Sequence, residues 1–224
     1  MIELLRTTGA ARRFTADRVE PIVVHQLLDD ARFAPSGGNR QPWKVAVVEQ
    51  AAIRRELGAL MQPVWDAYVA RPAGVTAFNP VDDVAPERVE HADNELLDSI
   101  ETIPVVLAVA VDLRLVAVMD RDLDRPPVTA GASVYPFCWS ILLSARSRGL
   151  GGVLTTFLSG AESDAARALG LPQHHALAAT IFLGIPDPLS TRLTRAPVES
   201  FTTTDRFDGA PFAPTLRPPA RIRH

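Results

Sequence analysis

Two short stretches hold most of the residues able to do chemistry. The first is Ala34-Pro35-Ser36-Gly37-Gly38-Asn39-Arg40-Gln41-Pro42-Trp43. It combines two glycines, two prolines, a hydroxyl, side-chain amides and an indole in ten residues. Permissive backbone beside amides and a ring suits a loop that lies against a flat polar ligand. On the loop alone, a tight turn around a buried Trp43 explains it equally well. The second stretch is Thr7-Thr8-Gly9-Ala10-Ala11-Arg12-Arg13-Phe14. Gly9 permits a bend, the threonines offer hydroxyls, and arginine's planar fork matches phosphate oxygens. The plain alternative is a solvated basic turn, the commoner fate of an isolated Arg-Arg pair. Thr155-Thr156, at the end of an apolar run, and Arg195 in the tail complete the set.

Other chemistries lack their residues. No P-loop exists and no GxGxxG follows a strand. No HExxH is present, and the adjacent His174 and His175 point to different faces, so no metal is expected. Ser36 lacks the flanking glycines of a nucleophile elbow. The single cysteine, Cys138, sits in an apolar run and reads as packing; one thiol implies a reducing, cytoplasmic setting. A net charge of −3 gives no reason to expect nucleic acid or an anionic membrane as partner. The start, with its early Glu3, does not read as a signal peptide, and the longest apolar run is too short to span a bilayer.

The elements that must position these residues follow from periodicity. Residues 2–8 predict a short helix with Ile2, Leu4 and Leu5 inward. Pro21 to Phe33 predicts a helix opened by its proline and stopped before Pro35. Lys44 to Val48 reads as a buried strand, and Ala51 to Ala70 as a helix interrupted at Pro63 with Trp65 and Tyr68 on one face. Residues 71–90 predict a long binding loop or lid, with Phe78 as aromatic cover. Arg88 to Thr102 reads as a polar helix and Pro104 to Val111 as a buried strand. Thr129 to Arg148 is the strongest helix pattern, with Pro136 kinking it or marking an early turn, and Gly149-Leu150-Gly151-Gly152 stops it. Val153 to Leu158, Glu162 to Leu169 with Gly170, and Ala176 to Leu183 predict strand, helix and strand. The tail from Pro188 has no core period and is expected to wrap a surface.

Arg12 to Phe14, the helix after Pro21, the Ala34–Trp43 block, the following strand, Gly149-Leu150-Gly151 and Leu183-Gly184-Ile185-Pro186 occur in that order over almost the whole chain. Together they resemble the FMN-dependent nitroreductase superfamily. The Pro-Ser-x-x-Asn-x-Gln-Pro-Trp block is the specific part; the glycine signals alone are weak. The resemblance implies an α+β fold, with a mostly antiparallel central sheet flanked by helices in three layers, and an intertwined homodimer with FMN at the interface. It implies one domain over 1–224, a lid or insert at about 60–100, and an extended tail at about 188–224. Carried over by position, Thr8, Gly9, Ala10, Ala11 and Arg12 face the FMN phosphate and ring edge. Pro35, Ser36, Gly37 and Asn39 come from the other subunit. Leu154, Thr155 and Thr156 pass the ring near N5, and Arg195 returns to the phosphate. Trp65, Tyr68 and Phe78 fall to the substrate side.

The implied activity is ping-pong: NADH or NADPH reduces FMN, which then reduces a small electron-poor acceptor such as a nitroaromatic or quinone. No side-chain acid or base is needed. Thr8 and Ala10 depart from the arginine and Ser or Thr common in the family, which leaves more charge to Arg12 and Arg195. Trp139 or Ser140 falls where Gln-Asn is common in the long helix. Three alternatives stay open: a flavin-binding protein without dedicated turnover, a reductive dehalogenase-like branch using a threonine hydroxyl, and a flavin-fragmenting branch.

Overall fold

A computed structural model of the chain describes residues 2–70, 90–188 and 190–213. The chain divides into two compact units, Met1–Thr191 and Arg192–His224. In the first, β1 (Trp43–Val47), β2 (Val105–Asp112), β3 (Gly151–Thr155) and β4 (His175–Gly184) form one antiparallel sheet in the order β1-β2-β4-β3. The central strand β2 is buried along its whole length. Its near-continuous apolar sequence follows, because helices cover both faces.

Alternation along β2 sends Leu107, Val109 and Val111 to one face, under Leu27 of α2 (Pro21–Ala31) and Phe137 and Ile141 of α5 (Tyr135–Ser147). Val106 and Ala108 go to the other. There they meet Leu57 and Met61 of α3 (Ala51–Val69), Leu97 of α4 (Glu95–Asp98), Leu158 of α6 (Phe157–Gly160) and Ala165 of α7 (Glu162–Leu169). The result is an α+β fold of three layers. The register slips once, between Val109 and Ala110, leaving Ala178 as an extra residue on β4. The Tyr135 hydroxyl donates to that residue's carbonyl at 3.3 Å.

Several elements differ from the sequence expectation. β1 is half exposed rather than buried, because it is an edge strand with one neighbour. Ile2 and Leu5 of α1 (Ile2–Thr7) are exposed, since α1 buries no residue in this unit. α3 runs through Pro63 without a break. Proline gives up one i→i−4 bond there, and the buried Leu57, Gly58 and Met61 of the same helix hold it to the core. The polar helix shrinks to α4, opened by Asn94, whose Oδ1 accepts from Leu96 and Leu97. α5 starts at Tyr135 after a 3-10 turn, so Pro136 marks its first turn and no kink. β3 ends at Thr155, and Phe157 and Leu158 begin α6. Phe78 and the rest of residues 71–89 lie outside the described residues. The predicted lid is therefore described only through α3 and residues 90–100.

In the second unit Val198–Ser200 forms a 3-10 turn and Thr203 pairs with Pro211. Phe201, Phe207 and Phe212 are exposed.

Candidate functional site

Two separate pockets take part of the set singled out from sequence: Arg12, Trp65, Tyr68, Leu154, Thr155 and Thr156 line one, and Pro35, Ser36 and Gly37 the other. The first forms at the C-terminal end of β3. The Ala11 N–H donates to the Gly152 carbonyl at 3.0 Å, and Thr15 N–H to the Ile185 carbonyl at 2.9 Å, so the N-terminal segment lies along the sheet edge. A Cβ on Gly152 would stand 2.4 Å from Leu183 Cδ2 and 2.7 Å from the Phe182 carbonyl oxygen. On Gly151 it would meet Ala11 Cβ at 3.0 Å. Gly151, in the glycine run that reads as a helix stop, therefore also admits the segment that carries Arg12.

Arg12 lines a cavity of about 450 Å³ with Trp65, Tyr68, Asn94 and residues 153–157. Among the described residues its guanidinium has neither hydrogen bond nor ion pair. Asn94 caps α4 through Oδ1, which leaves its amide N–H groups without an acceptor among the described residues. Among the described residues no carboxylate lines this cavity, so the side chains described there mainly donate. The Thr155 Oγ1 is buried and without a partner, as is Oγ1 of its cross-strand neighbour Thr180. Thr156 is exposed at the start of α6.

Three aromatic rings line the same cavity. Trp65 lies 5.9 Å from Tyr68 and 5.5 Å from Phe157, centroid to centroid, and Tyr68 lies 6.1 Å from Phe157. The shared face of Trp65 and Tyr68 is as predicted; Phe157 joins it from α6. Trp65 Nε1 donates to the Asp93 carbonyl at 3.3 Å, and Asp66 accepts from Ala92 N–H at 2.9 Å, fixing residues 90–94 to α3. Burial opposes ionisation of Asp66, but bonds from Ala92 and Gln62 and the nearby His91 lower its pKa overall.

The rest of the N-terminal set contributes less. The Thr8 hydroxyl donates back to the Leu4 carbonyl at 2.6 Å, so it is already engaged. Arg13 points to Glu95 at 3.8 Å with both side chains exposed. Leu154 faces the α2/α5 layer and also borders the cavity. Arg195 belongs to the second unit, where its guanidinium donates to the Thr194 carbonyl at 2.7 Å.

The second pocket, about 500 Å³, lies against the glycine-rich loop. Pro35, Ser36, Gly37, Gly38 and Arg40 form one side, and residues 115–119 and 129–133 the other. Gly38, Asn39 and Gln41 adopt positive φ of 61°, 52° and 48°. Two of these are not glycine, so the turn is held under strain. Side chains brace it. The Ser36 Oγ accepts from Gln41 N–H at 3.0 Å, Asn39 Oδ1 accepts from Gln41 Nε2 at 3.1 Å, and Ser133 Oγ accepts from Gly37 N–H at 3.1 Å. Asn39 supports the loop and does not border the pocket. Trp43 anchors it, stacked on Phe137 at 4.6 Å and 4°.

The far side of this pocket hangs on Asp120. Its carboxylate accepts from Thr129 Oγ1 at 2.5 Å, Arg125 Nη1 at 2.6 Å and Val128 N–H at 2.8 Å. The Thr129, Val128 and Arg125 donors hold its pKa well below the usual carboxylate range. Sequence reasoning missed Asp120, Ser133, Asn94 and Phe157. Only Asn94, one residue before an acidic helix start, carried a local signal. Cys138 is fully buried and burial pushes its thiol up to about 12, which fits packing. Among the described residues no helix is long and apolar enough to cross a membrane.

Comparison with known proteins bears on the family and the fold. The family model for the nitroreductase family matches residues 6–185. The chain is 27% identical over 187 residues to a 5,6-dimethylbenzimidazole synthase of Rhodobacter capsulatus, covering 84% of each. It is 27% identical over 191 residues to an NADH dehydrogenase of Thermus thermophilus, covering 84% of this chain and 87% of that one. Among solved structures, the NADPH:FMN oxidoreductase of Vibrio harveyi complexed with NAD+ superposes with a TM-score of 0.67 at 19% identity, covering 92% of this chain and 76% of the other.

Proposed function

This chain belongs to the nitroreductase family, and we propose that it is an FMN-dependent oxidoreductase drawing on NADH or NADPH and reducing a small electron-poor acceptor. The observation that carries this reading is the Arg12 cavity. Among the described residues it joins a guanidinium and an amide donor that have no partner, beside a buried unpartnered hydroxyl, and none of its walls carries a carboxylate. Buried polar groups without partners are rare unless a ligand or water completes them. Such a donor set fits a flavin, which is anionic at its phosphate and rich in acceptors along its pyrimidine edge. The names of the Vibrio and Thermus relatives support the same chemistry.

When bound, FMN would supply the redox chemistry, hydride transfer between a nicotinamide and the acceptor. Arg12 and Asn94 supply donors for the acceptor edge, where a fixed cation favours added negative charge. Thr155 and Thr156 border the reacting face. Pro35, Ser36, Gly37 and Asn39 act from a second copy of the chain. The two pockets share no lining residue, so each is read as one wall of a composite site.

The purified protein should carry a flavin absorbance band, or gain one with added FMN, and NADH or NADPH should bleach it. A protein that takes up no FMN would refute the proposal. One that binds FMN but is not bleached would be a flavin carrier. A second reading, a synthase, is favoured by the likeness to 5,6-dimethylbenzimidazole synthases. Mass analysis of products after reduction in air separates the two.

A further inference from the structure

We propose that a third cavity, between α2, β1 and the start of α3, binds a small carboxylic acid with an apolar chain. The cavity holds about 640 Å³ and shares no lining residue with the two pockets described above. Val24 and Leu28 of α2 and Val47 of β1 give it an apolar wall. Arg18, His25 and Arg54 bring nitrogen donors to it, and Glu49 is the one acid among its described walls.

Arg54 carries the argument. It lies in the first turn of α3 and is only 8% exposed. Its Nε donates to the Val48 carbonyl at 2.7 Å, and its Nη1 to the carbonyls of Glu101 at 3.1 Å and Ile103 at 2.6 Å. These bonds tie α3 to the end of β1 and to the approach to β2. They satisfy three N–H groups with neutral acceptors and leave the charge unanswered. Nη2, with its two N–H groups, has no partner among the described residues. It is not enclosed by protein either, so it opens onto the cavity that Arg54 lines. Burial opposes this charge and lowers its pKa, which the field of Glu49 offsets in part. Yet no described carboxylate lies within ion-pair distance of Arg54. A clamp on three carbonyls needs no open Nη2; a buried guanidinium facing a cavity is completed by an anion. Arg18 adds a second cation. Its pairing with Glu20 at 3.9 Å is long and exposed, so little holds it away from a ligand. Glu49 works against a second negative charge, which favours a carboxylate over a phosphate ester. The apolar wall takes the body of the acid, each buried methylene adding affinity.

The test titrates hexanoate and 1-hexanol separately into the nitrogen-15-labelled full chain and follows amide shifts. The two probes share an apolar chain and differ in charge. Hexanoate should shift the amides of Val24, Leu28 and Val47 and bind at least about tenfold more tightly than the alcohol, as expected for one charge-assisted hydrogen bond. Arg18→Glu, at an exposed position, should weaken hexanoate by about threefold to tenfold and leave the alcohol unchanged. Arg54→Met keeps an apolar stem and should erase the difference between acid and alcohol. Circular dichroism shows whether that variant folds; Arg18→Glu carries the test if it does not. Equal affinities of acid and alcohol in wild type would overturn the inference. So would an unaltered hexanoate affinity in Arg18→Glu, or shifts at Val153 and Leu154 in place of α2 and β1. None of these readouts uses the flavin, so the proposed function can fail without touching them.

Discussion

The two pockets differ in how the chain builds them. The Pro35–Arg40 wall is local. Its strained turn is braced by Ser36, Asn39 and Gln41 within six residues of one another, and Trp43 ties it to α5. The Arg12 wall is assembled from four distant places: the N-terminal segment, α3, Asn94 and the end of β3. The local wall has its chemistry spent on itself, with Ser36 and Asn39 already bonded. Among the described residues the assembled wall leaves its chemistry free, in Arg12 and Asn94. One pocket thus reads as a shaped surface and the other as the set of donors, and a ligand needing both must touch both.

The contrast can be broken from either side. The largest effect is expected on flavin binding. Gly37→Phe should abolish retention of FMN, a loss of about a hundredfold or more, while leaving the fold intact. A Cβ there meets only Ser133 Oγ, at 3.8 Å, so the ring enters the pocket and not the core. Arg12→Ala should weaken FMN by about tenfold to a hundredfold, as expected for one charged hydrogen bond. Fluorescence titration of apoprotein with FMN measures both. Normal affinity in either variant would break the assignment of that wall.

Gly152→Ala should come next. The new methyl meets backbone at 2.7 Å, so it should destabilise by about 1–3 kcal/mol and loosen the segment that carries Arg12. Urea unfolding would show a lower midpoint, and an unchanged midpoint would contradict the packing. Thr180→Val should act the other way. The hydroxyl is fully buried and unpartnered, so its removal should be neutral or stabilising by about 1 kcal/mol. A clear loss of stability would mean that an internal water satisfies it.

The smallest effect at neutral pH belongs to Asp120. Its folded pKa lies below that of the unfolded chain. Its contribution is therefore complete above the ordinary aspartate value of about 4 and is lost as pH falls through the folded value. Thermal midpoints followed downward from pH 5 should drop more steeply in wild type than in Asp120→Asn. Parallel curves would remove Asp120 as the anchor of residues 120–129.

The same contrast explains what could be read from sequence. The loop was legible because its residues are adjacent and its composition has few uses. β2, β4, α2 and α7 were legible because their burial follows period. Asn94 and Phe157 were not, because their roles arise only when α3, α4 and α6 meet the end of β3. Asp120 sits in a charged stretch where nothing local separates a buried acceptor from solvated neighbours. β1 misled because a β-branched run looks alike at the edge and in the centre of a sheet. Thr155 was found, but its hydroxyl is enclosed in the sheet layer, which a strand period alone does not reveal.

The central claim is that one working site takes its donor wall from one copy and its loop wall from another. Co-expression of an Arg12→Ala chain with a Gly37→Phe chain, each weakened in FMN binding alone, tests it directly at an FMN concentration too low to load either variant by itself. A mixed dimer would hold one site with both walls intact. The account predicts that the purified mixed dimer binds about one FMN and regains NAD(P)H-dependent bleaching. If both walls served one chain, every chain in the mixture would carry a damaged site, and a mixed dimer with no flavin would contradict the account.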